Sequence, residues 1–234
     1  MHYKGYKKYT FLDENETITN VIDKNQSIIR WGDGETNILL GKSIYFQKYN
    51  HRLRLMLRDT LFSDEKNILI CIPVDYLKCS IFQLIRQKKL RVWAYTRYVL
   101  HSYLRKSRTY GDAFIFRTKS KLNKEQISLL WDNKSVILVG SSREKYIDFS
   151  RQQKLKCEFV QIDESNAFNK YQETLEKIIE ISKNYSNQEL RVLISAGPMA
   201  KILVHQLSLL GFVSYDIGQY LNWKFYDVLS EKGI

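Results

Sequence analysis

Short runs of apolar, often β-branched residues alternate with amphipathic segments along the sequence, and this alternation limits the possible folds most strongly. The run Val136-Ile137-Leu138-Val139 is apolar at four consecutive positions rather than at every second one. Continuous runs of this kind indicate strands that are covered on both faces, as in parallel sheets. We predict strands at residues 27–31, 67–73, 91–95, 113–117, 135–140, 157–162, 190–196 and 213–217.

Helical patterns fill the segments between the predicted strands. In the segment 48–62, Leu53 and Leu57 are four residues apart, which places them on one face of a helix. We predict further helices at 168–184 and at 198–210, the last with a proline in its first turn. Strands that alternate with helices predict an α/β fold, a Rossmann-like sandwich whose mostly parallel central sheet is flanked by helices. The length of 234 residues and the absence of a linker-like segment predict a single domain over residues 1–234.

The segment Gly32-Asp33-Gly34-Glu35 follows the first predicted strand, and ligands of open α/β sheets bind where strands end. In an extended or turned backbone, carboxylates two positions apart face the same side. Two such groups beside a bound phosphate are typical ligands of Mg²⁺ or Mn²⁺. Arg30 could add charge-assisted hydrogen bonds to a diphosphate or to a carboxylate. The alternative is a helix start, with Asp33 as the cap and Glu35 in the first turn.

Three later turns also follow predicted strands. The backbone N–H groups of Ser195 and Gly197 precede a helix and could bind an anion, although a turn with nothing bound explains them equally well. Asp216 could hold a ribose hydroxyl, a metal ion or an acceptor hydroxyl, unless it caps a helix. In residues 140–145, a glycine and two serines precede basic residues and could surround a phosphate, although the Walker spacing is absent.

Several kinds of chemistry are disfavoured by what the sequence lacks. The three cysteines form no C-x-x-C pair, and the four histidines are dispersed without zinc-ligand spacing. Neither G-x-G-x-x-G nor G-x-S-x-G is present, which argues against a dinucleotide oxidoreductase and an α/β-hydrolase. No run approaches the roughly 18 apolar residues that span a bilayer, and the first residues lack the apolar region of a secretory signal. These features predict a cytoplasmic protein.

The net charge of +12 needs an explanation in terms of partners. Basic surfaces attract nucleic acid, anionic lipid headgroups or phosphorylated ligands, and solvated helix faces explain the charge equally well. One alternative function is therefore a basic module that binds nucleic acid or membrane without catalysis. Another is a different nucleotide-dependent enzyme, such as a phosphotransferase, on the same sandwich.

Six segments in a fixed order resemble the bacterial family that defines the GT-D glycosyltransferase fold, formerly a domain of unknown function. They are 27–35, 110–114, 130–140, 165–168 followed by Tyr171, 195–200, and 211–212 with 216–218. The resemblance spans about residues 15–226. The sequence departs from the family at Phe116, at 118–119, at Gln219 and at Asn222, and these departures concern the acceptor side more than the metal site.

The resemblance implies a metal-dependent enzyme that moves a sugar from a nucleoside-diphosphate sugar, above all a UDP-sugar, to a glycan, glycoprotein or lipid-linked acceptor. It implies Mn²⁺ or Mg²⁺ on Asp33 and Glu35, steadied by Arg30. Asp216, Asp112 and Glu35 are candidates for the base that activates the acceptor. The residues implied for the nucleotide sugar are Gly32, Gly34, Arg117, Gly140, Ser141, Ser195, Gly197, Pro198 and Gly218. No stable nucleic-acid partner is expected, whereas the basic patches suit peripheral association with the anionic inner face of a membrane.

Overall fold

One parallel sheet forms the centre of the computed structural model, which describes residues 9–118 and 120–221. Its strands are β1 (Thr10–Phe11), β2 (Ser27–Arg30), β3 (Ile68–Ile72), β4 (Thr109–Asp112), β5 (Ser135–Gly140), β6 (Cys157–Gln161), β7 (Leu190–Ile194) and β8 (Val213–Asp216). Their order across the sheet is β1-β4-β3-β2-β8-β7-β5-β6, and every recorded pair of neighbours is parallel. The predicted α/β class with a mostly parallel sheet is therefore confirmed.

Helices cover both faces of this sheet. They are α1 (Glu14–Asp23), α2 (Asp33–Leu39), α3 (His51–Phe62), α4 (Val74–Lys78), α5 (Ile81–Arg86), α6 (Leu90–Tyr103), α7 (Lys124–Ser128), α8 (Arg143–Gln153), α9 (Tyr171–Ser182) and α10 (Pro198–Leu209), with a short 3₁₀ helix at Ala167–Lys170. Adjacent strand residues belong to different cores, since Ile28 packs in one hydrophobic cluster and Ile29 in the other. This explains why the strand sequences are apolar without alternation.

The predicted strand at 91–95 is wrong, because these residues form part of helix α6. Trp93 and Leu100 are buried on its inner face, seven residues apart, as a helical period requires. A five-residue window is too short to distinguish the helical period from the strand period. The buried positions along the whole of α6 follow the helical period.

The predicted strand at 113–117 is also wrong, because the strand in this region is β4, which ends at Asp112. Gly111 lies in the middle of β4 and pairs with Cys71 of β3. A Cβ atom on Gly111 would lie 2.6 Å from the sulfur of Cys71, so only glycine permits this close approach. The Tyr-Gly-Asp sequence at 110–112 lies just before the predicted strand, yet it forms most of β4.

The other six predicted strands and the three predicted helices are confirmed, with ends shifted by a few residues. Strands β2 and β8 are neighbours although they lie at opposite ends of the chain, with Ile28 opposite Tyr215. Their carboxyl ends therefore meet near the centre of the sheet. The extent of the single domain over 1–234 stays a prediction, and Asn222 and Lys119 lie outside the described residues. Within those residues, no helix combines the length and the apolar character needed to cross a membrane.

Candidate active site at the ends of β2 and β8

Arg30, the last residue of β2, is buried against the end of β8. Its Nε donates to the backbone oxygen of Asp216 at 2.6 Å, and its Nη1 donates to the backbone oxygen of Ala113 at 3.1 Å. Nη2 also lies 3.8 Å from Oδ1 of the fully buried Asp216 carboxylate. Burial lowers the pKa of Arg30, and Asp216 opposes that shift. Arg30, at the end of β2, thus contacts the ends of β8 and β4 through buried hydrogen bonds. These contacts fit the predicted steadying role better than direct binding of a diphosphate.

The turn after β8 is shaped around this arginine. Gly218 has a φ of +53°, and a Cβ atom there would lie 1.9 Å from Nη2 of Arg30. Its N–H donates to Oδ1 of Asp216 at 3.1 Å, and its carbonyl accepts from the hydroxyl of Ser195 at 2.5 Å. The predicted residues Ser195 and Gly218 therefore meet, and both lie beside the Arg30–Asp216 pair.

Lys201, in the second turn of α10, completes a buried charge network. Its Nζ lies 2.7 Å from Oε1 of Glu35 and 3.0 Å from Oδ2 of Asp216, and it donates to the backbone oxygen of Gly197 at 3.1 Å. Burial alone would lower the pKa of Lys201, but the carboxylates of Asp216 and Glu35 outweigh it and raise that pKa above its ordinary value. The ammonium group therefore stays charged.

Sequence reasoning missed Lys201. The available signal was its position in the otherwise apolar stretch 199–204 that opens a helix directly after a strand. A lysine in such a stretch is almost never fully buried unless a carboxylate pairs with it.

Asp33 and Glu35 lie in helix α2, whose cap is Gly32. Oε2 of Glu35 accepts the N–H of Gly32 at 3.0 Å, so the helix-start alternative describes this carboxylate correctly. Glu35 is buried, whereas Asp33 is exposed. The expectation that both carboxylates face one side is wrong, because residues two apart in a helix point about 200° apart.

The predicted anion site at residues 195–198 is partly covered by Phe46. Gly197 has a φ of +54°, and a Cβ atom there would lie 2.5 Å from the ring of Phe46. The segment that carries Phe46 is held by Asn166, whose backbone N–H donates to the carbonyl of Phe46 at 2.8 Å. Pro198 is buried as the first residue of α10. Phe46 therefore closes one side of this turn.

The remaining predicted residues lie along the same edge of the sheet. Gly140 ends β5 beside Ser195, with 3.9 Å between an ideal Cβ and that of Ser195. Ser141 is half-buried just before α8. Arg117 is exposed, and its charge contributes to the lowered pKa of Arg30. Gly34 lies in the first turn of α2.

Among the departures from the GT-D sequence pattern, Phe116, Thr118 and Gln219 lie in the described part of the fold. Phe116 is buried, and its ring centroid lies 5.3 Å from Cζ of Arg30. A ring in this position supports the guanidinium through a cation–π contact. Gln219 is exposed on the turn after β8.

Asp112 lies at the end of β4, beside a cavity of about 300 Å³. Burial raises its pKa to about 7, although the N–H of Phe114 donates to Oδ1 at 2.8 Å and partly opposes the shift. Acidic side chains dominate the polar lining of this cavity, which includes Asp13, Glu14, Glu16, Asp75 and Asp112 together with Lys78 and Lys121. A carboxyl group that titrates near neutral pH is suited to proton transfer.

The described residues offer a metal ion an incomplete set of ligands. They contain no group of three or more His, Cys, Asp or Glu side chains placed to hold a metal. Both oxygens of Glu35 already accept a donor, and the carboxylate of Asp33 has no partner among the described residues. This arrangement fits a cation that is held jointly by protein carboxylates and substrate phosphates, as Mg²⁺ often is.

Comparison with known proteins decides the family. The family described as "Glycosyltransferase GT-D fold" matches residues 28–229, which include Arg30, Glu35, Lys201 and Asp216. The chain belongs to this family.

Curated relatives of this GT-D chain carry glycosyltransferase names. It is 25% identical over 223 residues to "Glycosyltransferase GlyD" of Streptococcus pneumoniae serotype 4, covering 87% of this chain and 26% of that protein. It is 24% identical over 230 residues to "Probable glycosyl transferase Gly" of Streptococcus gordonii, covering 91% of this chain and 32% of that protein. The chain thus spans about a quarter to a third of the length of these relatives.

Solved structures show the same GT-D fold. A structure described as "A New Glycosyltransferase (DUF1792) from Streptococcus sanguinis" has a TM-score of 0.77 at 21% identity, covering 95% of this chain and 85% of that one. Another, described as "The highly conserved domain of unknown function 1792 has a distinct glycosyltransferase fold", has a TM-score of 0.74 at 22% identity, with 95% and 83% covered. At these identities the likeness supports the fold alone.

Proposed function

We propose that this GT-D chain moves a sugar from a nucleoside-diphosphate sugar, most simply a UDP-sugar, to a glycan, glycoprotein or lipid-linked acceptor. The reaction would take place at the carboxyl ends of β2 and β8. The observation that carries the proposal is the buried network of Arg30, Asp216, Lys201 and Glu35, whose Glu35 lies on the same helix as the exposed Asp33. Four buried charges in one cluster are costly to desolvate, and such clusters concentrate at functional sites.

The network has balanced charge, since two cations face two carboxylates. Lys201 fixes Glu35 from one side, while the N–H of Gly32 fixes it from the other. The start of α2 is therefore held rigidly, and Asp33 on its first turn is presented to solvent in a defined place. Rigid placement of a first ligand is what an active site needs, because displacements of about 1 Å can lower rates about 100-fold.

The proposed cation is Mn²⁺ or Mg²⁺, with Asp33 as the direct ligand. Glu35 is held by Lys201 and by the N–H of Gly32 on the inner side of α2, so in this proposal it positions the helix that carries Asp33. When bound, the cation would offset the negative charge that develops on the departing diphosphate. Arg117 is exposed close to Arg30 and supports the same phosphate group in this proposal.

Asp112 is the best supported candidate for the base. The carboxylates of Asp216 and Glu35 are already held by cations, so neither has a free charge to offer an acceptor hydroxyl. Asp112 has a pKa raised to about 7 by burial and lines a cavity next to the site. Arg30 connects the two regions, since it donates to the carbonyl of Ala113 directly after Asp112.

The deciding experiment is a panel of nucleotide sugars incubated with the protein, with Mn²⁺ or with a chelator. Release of one nucleoside diphosphate that requires the cation is the expected result. No turnover of any nucleotide sugar, together with a salt-sensitive affinity for RNA, would instead favour the basic binding module. Turnover of a nucleoside triphosphate alone would favour a phosphotransferase. Location in the cytoplasm stays a prediction.

A further inference from the structure

Helices α5 and α6 carry six large apolar side chains that are exposed in the described part of the chain. Phe82 is 75% exposed and Tyr98 is 68% exposed. The other exposed apolar side chains on these two helices are Ile81, Ile85, Val92 and Tyr95. Single exposed apolar residues are normal on a protein surface, but six on two consecutive helices form a patch that indicates an interaction.

This patch is joined to an unusual concentration of positive charge. Residues 76–111 contain nine lysines and arginines and no aspartate or glutamate. Arg86, Lys88, Lys89 and Arg91 are exposed around the turn between α5 and α6, and none of the four forms an ion pair with a described residue. Helix α9 differs, because its Lys177 pairs with Glu173.

The two kinds of side chain share one face of α6. At about 100° per residue, Arg91, Val92, Tyr95 and Tyr98 fall within about a third of the helix circumference. The opposite side of the helix carries buried residues such as Trp93. A helix with an inner face in the core and an outer face of aliphatic, aromatic and basic side chains has the composition of helices that lie in a membrane interface.

We infer that the α5–α6 surface docks onto an anionic phospholipid membrane. The four unpaired cations complement anionic headgroups, and the aliphatic and aromatic side chains enter the boundary between headgroups and acyl chains. Nucleic acid fits this surface less well, since it offers phosphates and stacking partners but no apolar phase for Ile81, Ile85 and Val92.

The surface also lies beside the proposed active site. Nζ of Lys42 lies 5.4 Å from the ring centroid of Tyr95, so the segment after α2 adjoins α6. In the same segment, Tyr45 is fully exposed and Phe46 covers the Gly197 turn. Docking would bring this side of the molecule to the membrane, which suits a lipid-linked acceptor; this last step rests on the proposed function.

The test is sedimentation of the full chain with vesicles of phosphatidylcholine alone or mixed with phosphatidylglycerol, at about 0.1 M salt, where the Debye length is about 10 Å. Binding to the mixed vesicles and not to phosphatidylcholine is expected. Changing Lys88, Lys89 and Arg91 together to Gln should weaken binding about 100-fold, because each cation near an anionic surface contributes about a fivefold factor. The change Phe82→Ser should weaken binding about tenfold without altering the charge.

A matched control removes three charges at the opposite edge of the sheet. Arg151, Lys154 and Lys156 are exposed around the end of α8 and the start of β6, and changing all three to Gln should leave vesicle binding within about threefold. Equal losses in both triple variants, no binding to mixed vesicles, or full displacement by an RNA oligonucleotide would overturn the inference. Vesicle binding is measured without donor or acceptor, so it succeeds or fails independently of sugar transfer. All variants should keep the wild-type turnover of a nucleotide sugar in solution.

Discussion

Nζ of Lys201 lies 2.7 Å from Oε1 of Glu35, and this buried pair connects helix α10, which follows β7, to helix α2, which follows β2. Asp216 at the end of β8 shares the same ammonium group at 3.0 Å. Three elements that are far apart in sequence, α2, α10 and β8, are therefore held together by one side chain.

Replacing Lys201 with Met should lower the free energy of unfolding by about 3 kcal/mol or more, because removal of one partner leaves two buried carboxylates with too little positive charge. Combining it with Glu35→Gln should cost less than the sum of the two single changes, as expected for groups in contact. Urea unfolding measures both. The control Lys177→Met breaks an exposed pair on α9 and should change the stability little. Additive effects in the double variant would contradict a coupled network.

Replacing Asp33 with Asn should lower turnover of the nucleotide sugar about 100-fold or more while leaving the urea midpoint unchanged. Asp33 is exposed and has no described partner, so the change removes a ligand without disturbing the fold. The residual activity should no longer respond to Mn²⁺. Asp23→Asn is the matched control, because Asp23 is also exposed but ends α1 at the amino end of β2. Wild-type activity in the Asp33 variant would remove the metal site from the proposal.

Asp112 should make the protein less stable as the pH rises from about 4 to about 7. Its folded pKa, about 7, lies above its unfolded value of about 3.9, so within this window only the folded state keeps the proton. Stability falls with pH wherever the folded state binds more protons. Asp112→Asn should therefore raise the free energy of unfolding above the wild-type value by about 4 kcal/mol at pH 8, because each pKa unit corresponds to about 1.4 kcal/mol, and should leave it unchanged at pH 4. Urea unfolding of both proteins at the two pH values measures this effect, because their difference in free energy of unfolding reports on Asp112 alone.

The same variant tests the proposed base. In the wild type, the rate of sugar transfer to an acceptor should rise with pH around 7, and Asp112→Asn should remove this rise. The rate of donor hydrolysis by water should fall less than the rate of transfer. A pH–rate profile with an acceptor measures this. An unchanged profile would exclude Asp112 and return the question to Asp216 and Glu35.

Replacing Gly218 with Ala should destabilise the protein by about 3 kcal/mol, from strained backbone and from the collision of Cβ with Arg30. Gly41 supplies the control, because its φ is +78° and nothing lies within 4 Å of its ideal Cβ. Gly41→Ala should therefore show the backbone cost alone, about 1 kcal/mol. Equal effects at the two positions in thermal unfolding would mean that Arg30 moves aside freely.

Local patterns predicted much of the fold. The run at 136–139 was sufficient for β5, and the leucines four apart were sufficient for α3. Patterns failed where a tertiary contact sets the conformation. Gly111 looks like a turn residue until Cys71 of the next strand is seen against it, and residues 91–95 look like a strand until the rest of α6 is considered.

The sequence by itself determined the α/β class, the parallel sheet and the positions of most turns that follow strands, because these depend on the period of apolar residues along a few neighbouring positions. Only the tertiary structure decided which turns meet. Arg30 and Asp216 are 186 residues apart, and they touch because β2 and β8 are neighbours in the sheet. The sequence predicted Glu35 as a metal ligand, whereas in the structure Glu35 is buried and pairs with Lys201. The helical period directs Glu35 inward and leaves Asp33 exposed. No pattern within one segment contains these pairings, because their energy comes from groups on separate elements that folding brings out of water together.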